Sequence, residues 1–423
     1  MSDHVTVGVP VYHGERWLEE TLRSIQDQTH RDFDVVMSID GGPDPGCEAI
    51  CRRFLADSRF RLVIQPERLG WSGNINWLMT QVAGDYWYFH QQDDLTADNY
   101  LEALIGHARR NPSAALVCCE LVPFGRIEGH LAQPASVLGA SPFVRLMTYL
   151  HEQYPAFAFR GLTRAEAVRR AGDIPSNEFV SFGGDICWVA AVALSGEIHH
   201  LPLPLYGKRY HDRNTESAFR TMPREARLEA WSVHCAQMLG PALRTEGTVE
   251  ESRLLWLAAV ERLTSHRSAG GFLPVGDLSD AERRQLFDHF MRHAESTTTP
   301  NPPVLLDATW PEIKAFTESY WRIPAASEVE IVAFGPNAIR SGQPFDVQPD
   351  GRSALWVRTS RRPGANWTLR LGGTVLDTVI RSTIMTSTVP VGLTTQPADL
   401  ELVLVGPDGE PRSNRVTVRV LDH

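Results

Sequence analysis

The sequence predicts an α/β protein with a mainly parallel sheet in its first half, then a helical segment and a small all-β sandwich. Three observations support this prediction. Short runs rich in β-branched and aromatic residues alternate with segments of helical periodicity over roughly the first 125 residues. From about Pro223 to Phe316, helix-start signatures precede segments with apolar residues at helical spacing. From about residue 328, short alternating runs are separated by Gly, Pro and Asp. Strands that alternate with helices are typical of a parallel sheet covered on both faces.

The pattern of residues in the first part of the sequence predicts five strands and four helices in strict alternation. "VTVGVPV", "DFDVVMSID", "RLVIQ", "DYWYFH" and "AALVCCEL" are strand-like runs bounded by turn residues. Between them, apolar residues recur at helical spacing, and we expect helices near residues 16–28, 48–56, 75–82 and 99–110. In such sheets, ligands bind beyond the carboxyl ends of the strands.

The later regions have their own signatures. "TVEE" at Thr248 and "SDAE" at Ser279 are capping boxes that open helices. The most linker-like stretch is "STTTPNPP", and "NRVTVRVL" near the end alternates as a half-buried strand does. We therefore predict three regions: an α/β domain over 1–222, a helical segment and linker over 223–322, and a β-sandwich over 323–423.

Composition narrows the classes of function. The 423 residues are 43% hydrophobic and 22% charged, with a net charge of −10. No basic field covers the chain, so we expect no nucleic-acid partner. We expect no signal peptide and no membrane span. The six cysteines form no CxxC pair, which favours a reducing cytoplasm over a disulfide framework or zinc site.

Polar residues follow the predicted strands at several points. "QQDD" follows the fourth strand, and Asp40 of "SIDGG" follows the second. Pro10 ends the first strand, and Asp185 of "FGGDICWVAAVALSG" opens an apolar helix. Adjacent carboxylates repel each other, so Asp93 and Asp94 need a cation, a helix N-terminus or water.

The order of these segments resembles the inverting family 2 glycosyltransferases of the GT-A fold, over roughly residues 4–217. The segments that carry the resemblance are "PVYHGERWLEETL", "SIDGG", "ERLGWSGNIN", "YWYFHQQDD", "FRGLTRAEAVRRAGDI" and "LYGKRYH". The resemblance implies a Rossmann-like GT-A domain that transfers a sugar from a nucleotide-diphosphate donor, most often a UDP-sugar, to a glycan or glycoconjugate hydroxyl.

The resemblance also implies roles for individual residues. Asp185 matches the general base, and Asp93 and His211 match the ligands of Mg²⁺ or Mn²⁺. The residues that match the nucleotide-sugar site are Pro10, Tyr12, Glu15, Asp40, Asn76, Gln91 and Gln92. A carboxylate base and a hard divalent cation suit the chemistry, because the acceptor hydroxyl loses a proton while the diphosphate gains negative charge.

The sequence departs from the family pattern at four positions. Gln91 replaces the first Asp of the DxD motif, Gly184 replaces the Glu before the base, Ile75 replaces an arginine, and His13 replaces an asparagine. These departures motivate an alternative: a degenerate binding protein that holds a nucleotide or glycan without turnover. A nucleotidyltransferase is a second alternative, but "PVYHGERW" supplies no convincing glycine-rich phosphate loop.

Each candidate also has a purely structural interpretation. Asp93 could cap a helix near Thr96, and Asp94 is better explained as a structural carboxylate. Asp185 could serve only as a helix N-terminal charge, and His211 as a surface imidazole. Tyr12 and Trp71 could pack in the core rather than stack on a ligand.

The C-terminal region weakly resembles immunoglobulin-like domains of the IPT/TIG kind. It could bind an acceptor glycan, dimerise the enzyme into a homo-oligomer, or cover the helical segment. Trp356 and Trp367 could stack on sugars, although we expect them in the core. A lipid-linked acceptor would require peripheral contact with a membrane surface.

Overall fold

The structure is a computed structural model. It describes residues 3–126, 136–152, 156–212, 214, 219, 221–240, 248–264, 272–298, 312, 315, 329–347, 353–359, 363–364, 366–381 and 384–422. The chain divides into two compact units. The first comprises Met1–Pro274 and Glu282–Ser319, and the second comprises Val275–Ala281 and Tyr320–His423. In the described residues, no helix combines the length and the apolar character needed to cross a bilayer.

The first unit is built on an eight-stranded sheet. Its strands are β1 Val5–Val11, β2 Phe33–Ile39, β3 Phe60–Ile64, β4 Tyr86–Phe89, β5 Leu95–Thr96, β6 Ala114–Gly125, β7 Leu162–Arg164 and β8 Glu197–Tyr210. The order is β3-β2-β1-β4-β7-β6-β8-β5. β3, β2, β1 and β4 run parallel, as do β6 and β8, whereas β7 and β5 are antiparallel to their neighbours. The predicted mainly parallel sheet is confirmed.

The helices that accompany this sheet also match the predicted alternation. They are α1 Leu18–Gln26, α2 Pro45–Phe54, α3 Gly70–Met79, α4 Tyr100–Arg110, α5 Pro142–Glu152, α6 Ala165–Ala171 and α7 Gly184–Ser195. Two hydrophobic clusters receive alternate residues of the strands. Val36 and Trp87 lie in one cluster, whereas Val35 and Tyr86 lie in the other. Both faces of the sheet are therefore covered, as helical crossovers require.

One glycine of the sheet is fixed by close packing. A Cβ atom on Gly8 in β1 would lie 2.1 Å from the indole of Trp87 in β4. Only glycine therefore lets this fully buried ring lie across the neighbouring strand. The packing anchors β4, which delivers the following polar residues to the edge of the sheet.

Three further helices follow the sheet: α8 Arg224–Gln237, α9 Val249–Thr264 and α10 Asp280–Thr298. They confirm the predicted helical segment. The capping box at Thr248 is also formed, since Glu251 N donates to Thr248 Oγ1 at 3.2 Å and Thr248 N donates to Glu251 Oε2 at 2.8 Å. Most of the predicted linker, residues 299–303, lies outside the described residues.

The described secondary structure of the second unit consists mainly of β-strands. They are β9 Ile331–Gly335, β10 Ala338–Arg340, β11 Asp346–Val347, β12 Ser353–Thr359, β13 Thr368–Leu371, β14 Thr374–Val375, β15 Thr378–Arg381, β16 Ile384–Thr388, β17 Ala398–Val405 and β18 Val416–Leu421. They form two sheets, ordered β10-β18-β17-β13-β14 and β11-β12-β16-β15, with β9 paired to β12. Most pairs are antiparallel, and one apolar core unites residues of both sheets, as in a sandwich.

Candidate functional site

The candidate site begins where β4 ends. All four residues of this strand, Tyr86–Phe89, are buried, and the chain then passes into Gln91, Gln92, Asp93 and Asp94. The two adjacent carboxylates have different environments. Asp93 is partly exposed, whereas only 2% of Asp94 is accessible.

Asp93 faces His211, the residue that follows β8. Nε2 of His211 lies 2.7 Å from Oδ2 of Asp93, and the two side chains are 12% and 17% exposed. The indole of Trp17 stacks on the His211 ring at 4.0 Å between centroids and 26° between planes. The geometry brings together two residues that are 118 positions apart in the sequence.

Asp94 is held by a dense set of donors. Tyr206 OH donates to its Oδ2 at 2.9 Å, and the backbone N–H of Arg209 donates to its Oδ1 at 2.8 Å. Nε of Arg160 lies 3.3 Å from Oδ2. Burial raises the pKa of Asp94, and the Arg160 guanidinium opposes that increase. This environment agrees with a structural carboxylate, because a buried acid needs a charged partner and full hydrogen bonding.

Asp185 lies in the first turn of α7, as predicted. The segment before it is backbone-strained: Val180 and Ser181 both have φ of 55°, and Gly183 has φ of 69°. Positive φ is rare for a β-branched residue and clusters at functional sites. At Gly183 the requirement is also steric, because a Cβ atom there would lie 2.2 Å from His234 Nδ1.

The electrostatic environment of Asp185 is shared with Asp94. Burial raises the pKa of Asp185, while the cationic groups of Arg160 and Lys208 partly oppose the increase. Arg160 also acts on Asp94. The same guanidinium therefore influences both acids, and they lie near the same end of the sheet. A carboxylate with a raised pKa is a better general base near neutral pH than an ordinary aspartate.

A second group of predicted residues lies at the ends of β1 and β2. Pro10 is buried within β1 opposite Ser38, and Tyr12 follows the strand with 36% exposure. Asp40 is buried, and its Oδ1 accepts a 2.6 Å hydrogen bond from Leu69 N. The guanidinium of Arg68 stacks over Tyr12 at 4.1 Å from the ring centroid. An aromatic ring, an arginine and a carboxylate are thus close together at this edge.

Two of the amide side chains that were predicted to bind the nucleotide sugar form hydrogen bonds with the protein backbone. Gln92 exchanges two hydrogen bonds with the backbone of Tyr12, at 2.8 and 2.9 Å, and so ties the end of β4 to the loop after β1. Asn76 exchanges two with the backbone of Ile174, at 3.0 and 2.8 Å. Both amides therefore position backbone. Gln91, just before Gln92 in the sequence, is partly exposed.

Glu15 and His13 lie in the loop after β1, near Asp44 in the loop after β2. One ligand atom from each residue can be chosen so that all three lie within 4.8 Å of one another. Glu15 and His13 are exposed. Asp44 is committed to capping α2, where its Oδ1 accepts from Cys47 N at 3.1 Å.

The Asp93–His211 pair is the better candidate for a divalent ion. Its carboxylate and imidazole converge at contact distance while keeping partial access to solvent. Oδ1 of Asp93 has no hydrogen-bond partner among the described residues. Oxygen and imidazole nitrogen are suitable donors for Mn²⁺ or Mg²⁺, so the residues present fit such an ion.

Several side chains of the site were not assigned a role from the sequence. They are Trp17, Arg68, Arg160, Lys208 and Arg209. Strand alternation offered a signal for one of them: Arg209 and His211 are two residues apart, so both can reach the same side. Arg209 Nε indeed donates to the backbone oxygen of Asp93 at 2.8 Å, and its NH2 lies 2.6 Å from Glu20 Oε2.

Part of the chain that carries this geometry is similar to known proteins. Residues 6–163 match the model of the family described as Glycosyl transferase family 2. The matched range includes most of β1, all of β2 to β6 and the Asp93–Asp94 pair, while Asp185 and His211 lie beyond it.

Among curated proteins, the chain is similar to glycosyltransferase GlyA of Streptococcus pneumoniae. The two are 35% identical over 104 residues, which is 25% of this chain and 15% of that protein. It is also similar to glycosyltransferase GlyG of the same organism, at 30% identity over 105 residues, 25% of this chain and 35% of that protein. The matched segment thus spans well under half of these relatives.

Among solved structures, TarS of S. aureus aligns with 99% of this chain and 78% of its own, at a TM-score of 0.52 and 13% identity. TarS 1-349 in complex with UDP-GlcNAc aligns with 78% of this chain and 94% of its own, at a TM-score of 0.52 and 14% identity. At these identities the alignments establish the fold: an α/β domain of the GT-A type followed by helices and an all-β region.

Proposed function

We propose that this protein is an inverting glycosyltransferase that moves a sugar from a nucleotide-diphosphate donor to a hydroxyl of a glycan or glycoconjugate. The observation that carries the proposal is the shared Arg160, which acts on both Asp94 and Asp185. Arg160 Nε lies 3.3 Å from Oδ2 of Asp94, and this shared cation supports the proposal that the acid proposed as base and the carboxylates after β4 belong to one site. The family 2 match and the UDP-GlcNAc complex of TarS support a nucleotide-sugar donor, with UDP as the first candidate nucleotide.

In this proposal, the nucleoside lies over the loop after β1 and the end of β2. Tyr12 offers an exposed ring, and Arg68 beside it offers a cation for the diphosphate. Asp40 keeps one carboxylate oxygen to accept a ribose or base hydrogen bond while the other binds Leu69 N. Gln92 fixes the backbone on which these groups stand.

Asp93 and His211 would hold a divalent ion. When bound, Mg²⁺ or Mn²⁺ would neutralise the negative charge that develops on the diphosphate. Trp17 holds the His211 ring by stacking, and Arg209 holds the Asp93 backbone. Both residues would therefore reach the ion with little loss of side-chain freedom.

Asp185 would accept the proton of the acceptor hydroxyl as its oxygen attacks the anomeric carbon. The bond to the diphosphate breaks in the same displacement, so the anomeric configuration inverts and no covalent enzyme intermediate forms. The cationic groups of Arg160 and Lys208 oppose the increase that burial causes in the pKa of the Asp185 carboxylate. The balance leaves a base whose proton affinity exceeds that of an exposed aspartate.

A cytoplasmic location is part of this proposal. All six cysteines are free and buried, which supports a reducing compartment. A lipid-linked acceptor would be met by peripheral contact with the membrane surface.

The direct test is donor hydrolysis and transfer with Mn²⁺ present, comparing the wild type with Asp185→Asn. Asp173→Asn is the matched control, because Asp173 is exposed and lies just upstream of α7. We expect Asp185→Asn to lower turnover about 10²–10⁴-fold, with UDP affinity unchanged and the control active. UDP-, GDP- and dTDP-sugars would be compared in the same assay.

The alternative of a binding protein without turnover is motivated by Gln91 at the first DxD position. It would be favoured if wild type and Asp185→Asn showed equal, near-zero hydrolysis with every donor while still binding a nucleotide.

A further inference from the structure

An open groove lies in the second unit, beside the turn between β9 and β10. Its volume is about 600 Å³, within the size range of small-molecule sites. The residues lining it include Gly335, Pro336, Asn337, Pro344 and Trp356. None of its eight lining residues carries a charge.

Trp356 is the most unusual residue of this groove, because 39% of it is exposed. It lies in β12, directly opposite Gly335 of β9. A Cβ atom on Gly335 would lie 2.8 Å from Nε1 of the indole and 2.9 Å from Cε2 and Cζ2. The ring therefore lies across the bare glycine backbone, which supports one face and leaves the other toward solvent.

The surroundings of the ring are mixed in polarity. Thr386 of β16 lies directly opposite Trp356, and Val379 of β15 lies directly opposite Thr386, so the three side chains share one face of the sheet. Val379 is 53% exposed, and Asn337, at the mouth of the groove, is also exposed. The groove thus offers a flat aromatic surface, proline rings and an amide that both donates and accepts hydrogen bonds.

We propose that this groove binds one or two rings of a neutral glycan, and that the glycan is the acceptor of the transferase. The second clause rests on the proposed function. A pyranose ring has a face of C–H groups that packs on an indole and an edge of hydroxyls that an amide can bind. An exposed tryptophan with a polar neighbour suits such a ligand, since it has an apolar body and a polar edge.

Charge favours this ligand over the other polymers that a surface groove could hold. Binding to a nucleic acid or another polyanion depends on Lys and Arg contacts to phosphates, and the groove lining supplies none. A neutral oligosaccharide needs only stacking and hydrogen bonds, which these residues provide.

The test uses the full chain and three neutral probes: cellohexaose, chitohexaose and β-1,4-mannohexaose. Binding is measured by calorimetry for the wild type, Trp356→Ala and Gly335→Ala. Gly335→Ala retains the tryptophan but displaces its ring. The matched control is Trp367→Phe, because Trp367 also lies against a glycine, Gly364, but is half-buried and packs on the core.

We expect the wild type to bind at least one probe, and Trp356→Ala and Gly335→Ala to bind it roughly tenfold more weakly. Trp367→Phe should bind like the wild type. All four proteins should keep the same UDP affinity and donor hydrolysis, and melting temperatures verify folding.

Three results would overturn the proposal: no probe binds, Trp356→Ala binds as tightly as the wild type, or the wild type is an oligomer that Trp356→Ala dissociates without any glycan binding. The last result would assign the groove to self-association. Absence of donor hydrolysis in every protein, with glycan binding intact, would instead refute the proposed transferase activity and the role of the glycan as its acceptor, and would leave the assignment of the groove to glycan binding standing.

Discussion

Two groups of side chains in the first unit have the same composition, two carboxylates and one histidine, and both follow parallel strands. The β4 cluster consists of Asp93, Asp94 and His211. The β1-loop cluster consists of His13, Glu15 and Asp44. In the β4 cluster the histidine is 12% exposed and lies 2.7 Å from its acid, whereas His13 is 64% exposed and lies 3.4 Å from Asp44.

The partners of the two clusters explain the difference. Arg160 and Arg209 hold the β4 cluster from two later segments of the chain, and Trp17 stacks on its histidine. Asp44 accepts instead from two backbone N–H groups, that of Cys47 three residues later and that of His13 in the loop after β1. The acids of the β4 cluster are the stronger catalytic candidates, because cations and an aromatic ring from distant segments hold this cluster in place. In the β1-loop cluster the acid that is held most firmly, Asp44, accepts from backbone N–H groups and caps α2.

The largest expected effect is on stability, from Asp94→Asn. The substitution leaves Arg160 buried beside a neutral amide, and breaking a buried pair in this way typically costs about 3–5 kcal/mol. Denaturant unfolding of the variant and the wild type measures it. Asp93→Asn is the control, because Asp93 is partly exposed and we expect its unfolding free energy to change by less than about 1 kcal/mol. Equal losses from the two variants would contradict the distinction between the adjacent acids.

The next largest effect is expected on metal binding, which tests directly which of the two clusters holds the ion. Asp93→Asn should weaken Mn²⁺ binding in the presence of UDP by roughly tenfold or more, because it removes the anionic ligand. Glu15→Gln, the matching change in the β1-loop cluster, should leave the affinity unchanged. Electron paramagnetic resonance of free Mn²⁺ measures both. If Glu15→Gln alone weakened binding, the ion would belong to the β1-loop cluster.

A smaller effect concerns pH. Burial raises the pKa of Asp185 and Arg160 opposes it, so the acidic limb of kcat/KM should lie above the ordinary aspartate value of about 3.9. Arg160→Gln removes the opposing charge. The pKa of Asp185 should then rise further, and the limb should move to higher pH.

Arg160→Lys retains the charge and is the control for that profile. Its acidic limb should stay close to that of the wild type, even if its maximal rate falls. An Arg160→Gln limb that is unmoved, or moved to lower pH, would mean that Arg160 does not act on Asp185.

The smallest effect is expected from Asp44→Ala, which should lower the unfolding free energy by about 1 kcal/mol through loss of the α2 cap. Burial acts to raise the pKa of Asp44, but hydrogen bonds from Cys47 and His13 lower it overall. This stabilisation is therefore complete above the unfolded-state value of about 3.9 and is lost as pH falls through the folded pKa. The difference between Asp44→Ala and wild type should shrink accordingly. A difference that is independent of pH would show that the charge of Asp44 contributes nothing.

The sequence by itself determined the local structure and the order of the elements. Alternating runs such as "VTVGVPV", and helices with apolar residues at Leu18, Leu22 and Ile25, specify which face each segment buries. The mainly parallel sheet, the helical segment and the all-β end follow from these periods, because each period permits one kind of element. Asp185 at the start of an apolar helix was predictable for the same reason.

Only the tertiary structure decided which side chains meet. Arg160 lies at the end of a short 3₁₀ helix, Ala156–Arg160, and nothing local in "AFAFR" indicates that it contacts Asp94, 66 positions earlier. The stack of Trp17 on His211 and the support of Trp356 by Gly335 likewise depend on strand order and register. Periodicity fixes the direction of a side chain within its own element. The partner that a side chain contacts depends on how distant elements pack. That packing is set by the free energy of the whole fold, so local patterns in one sequence do not reveal it.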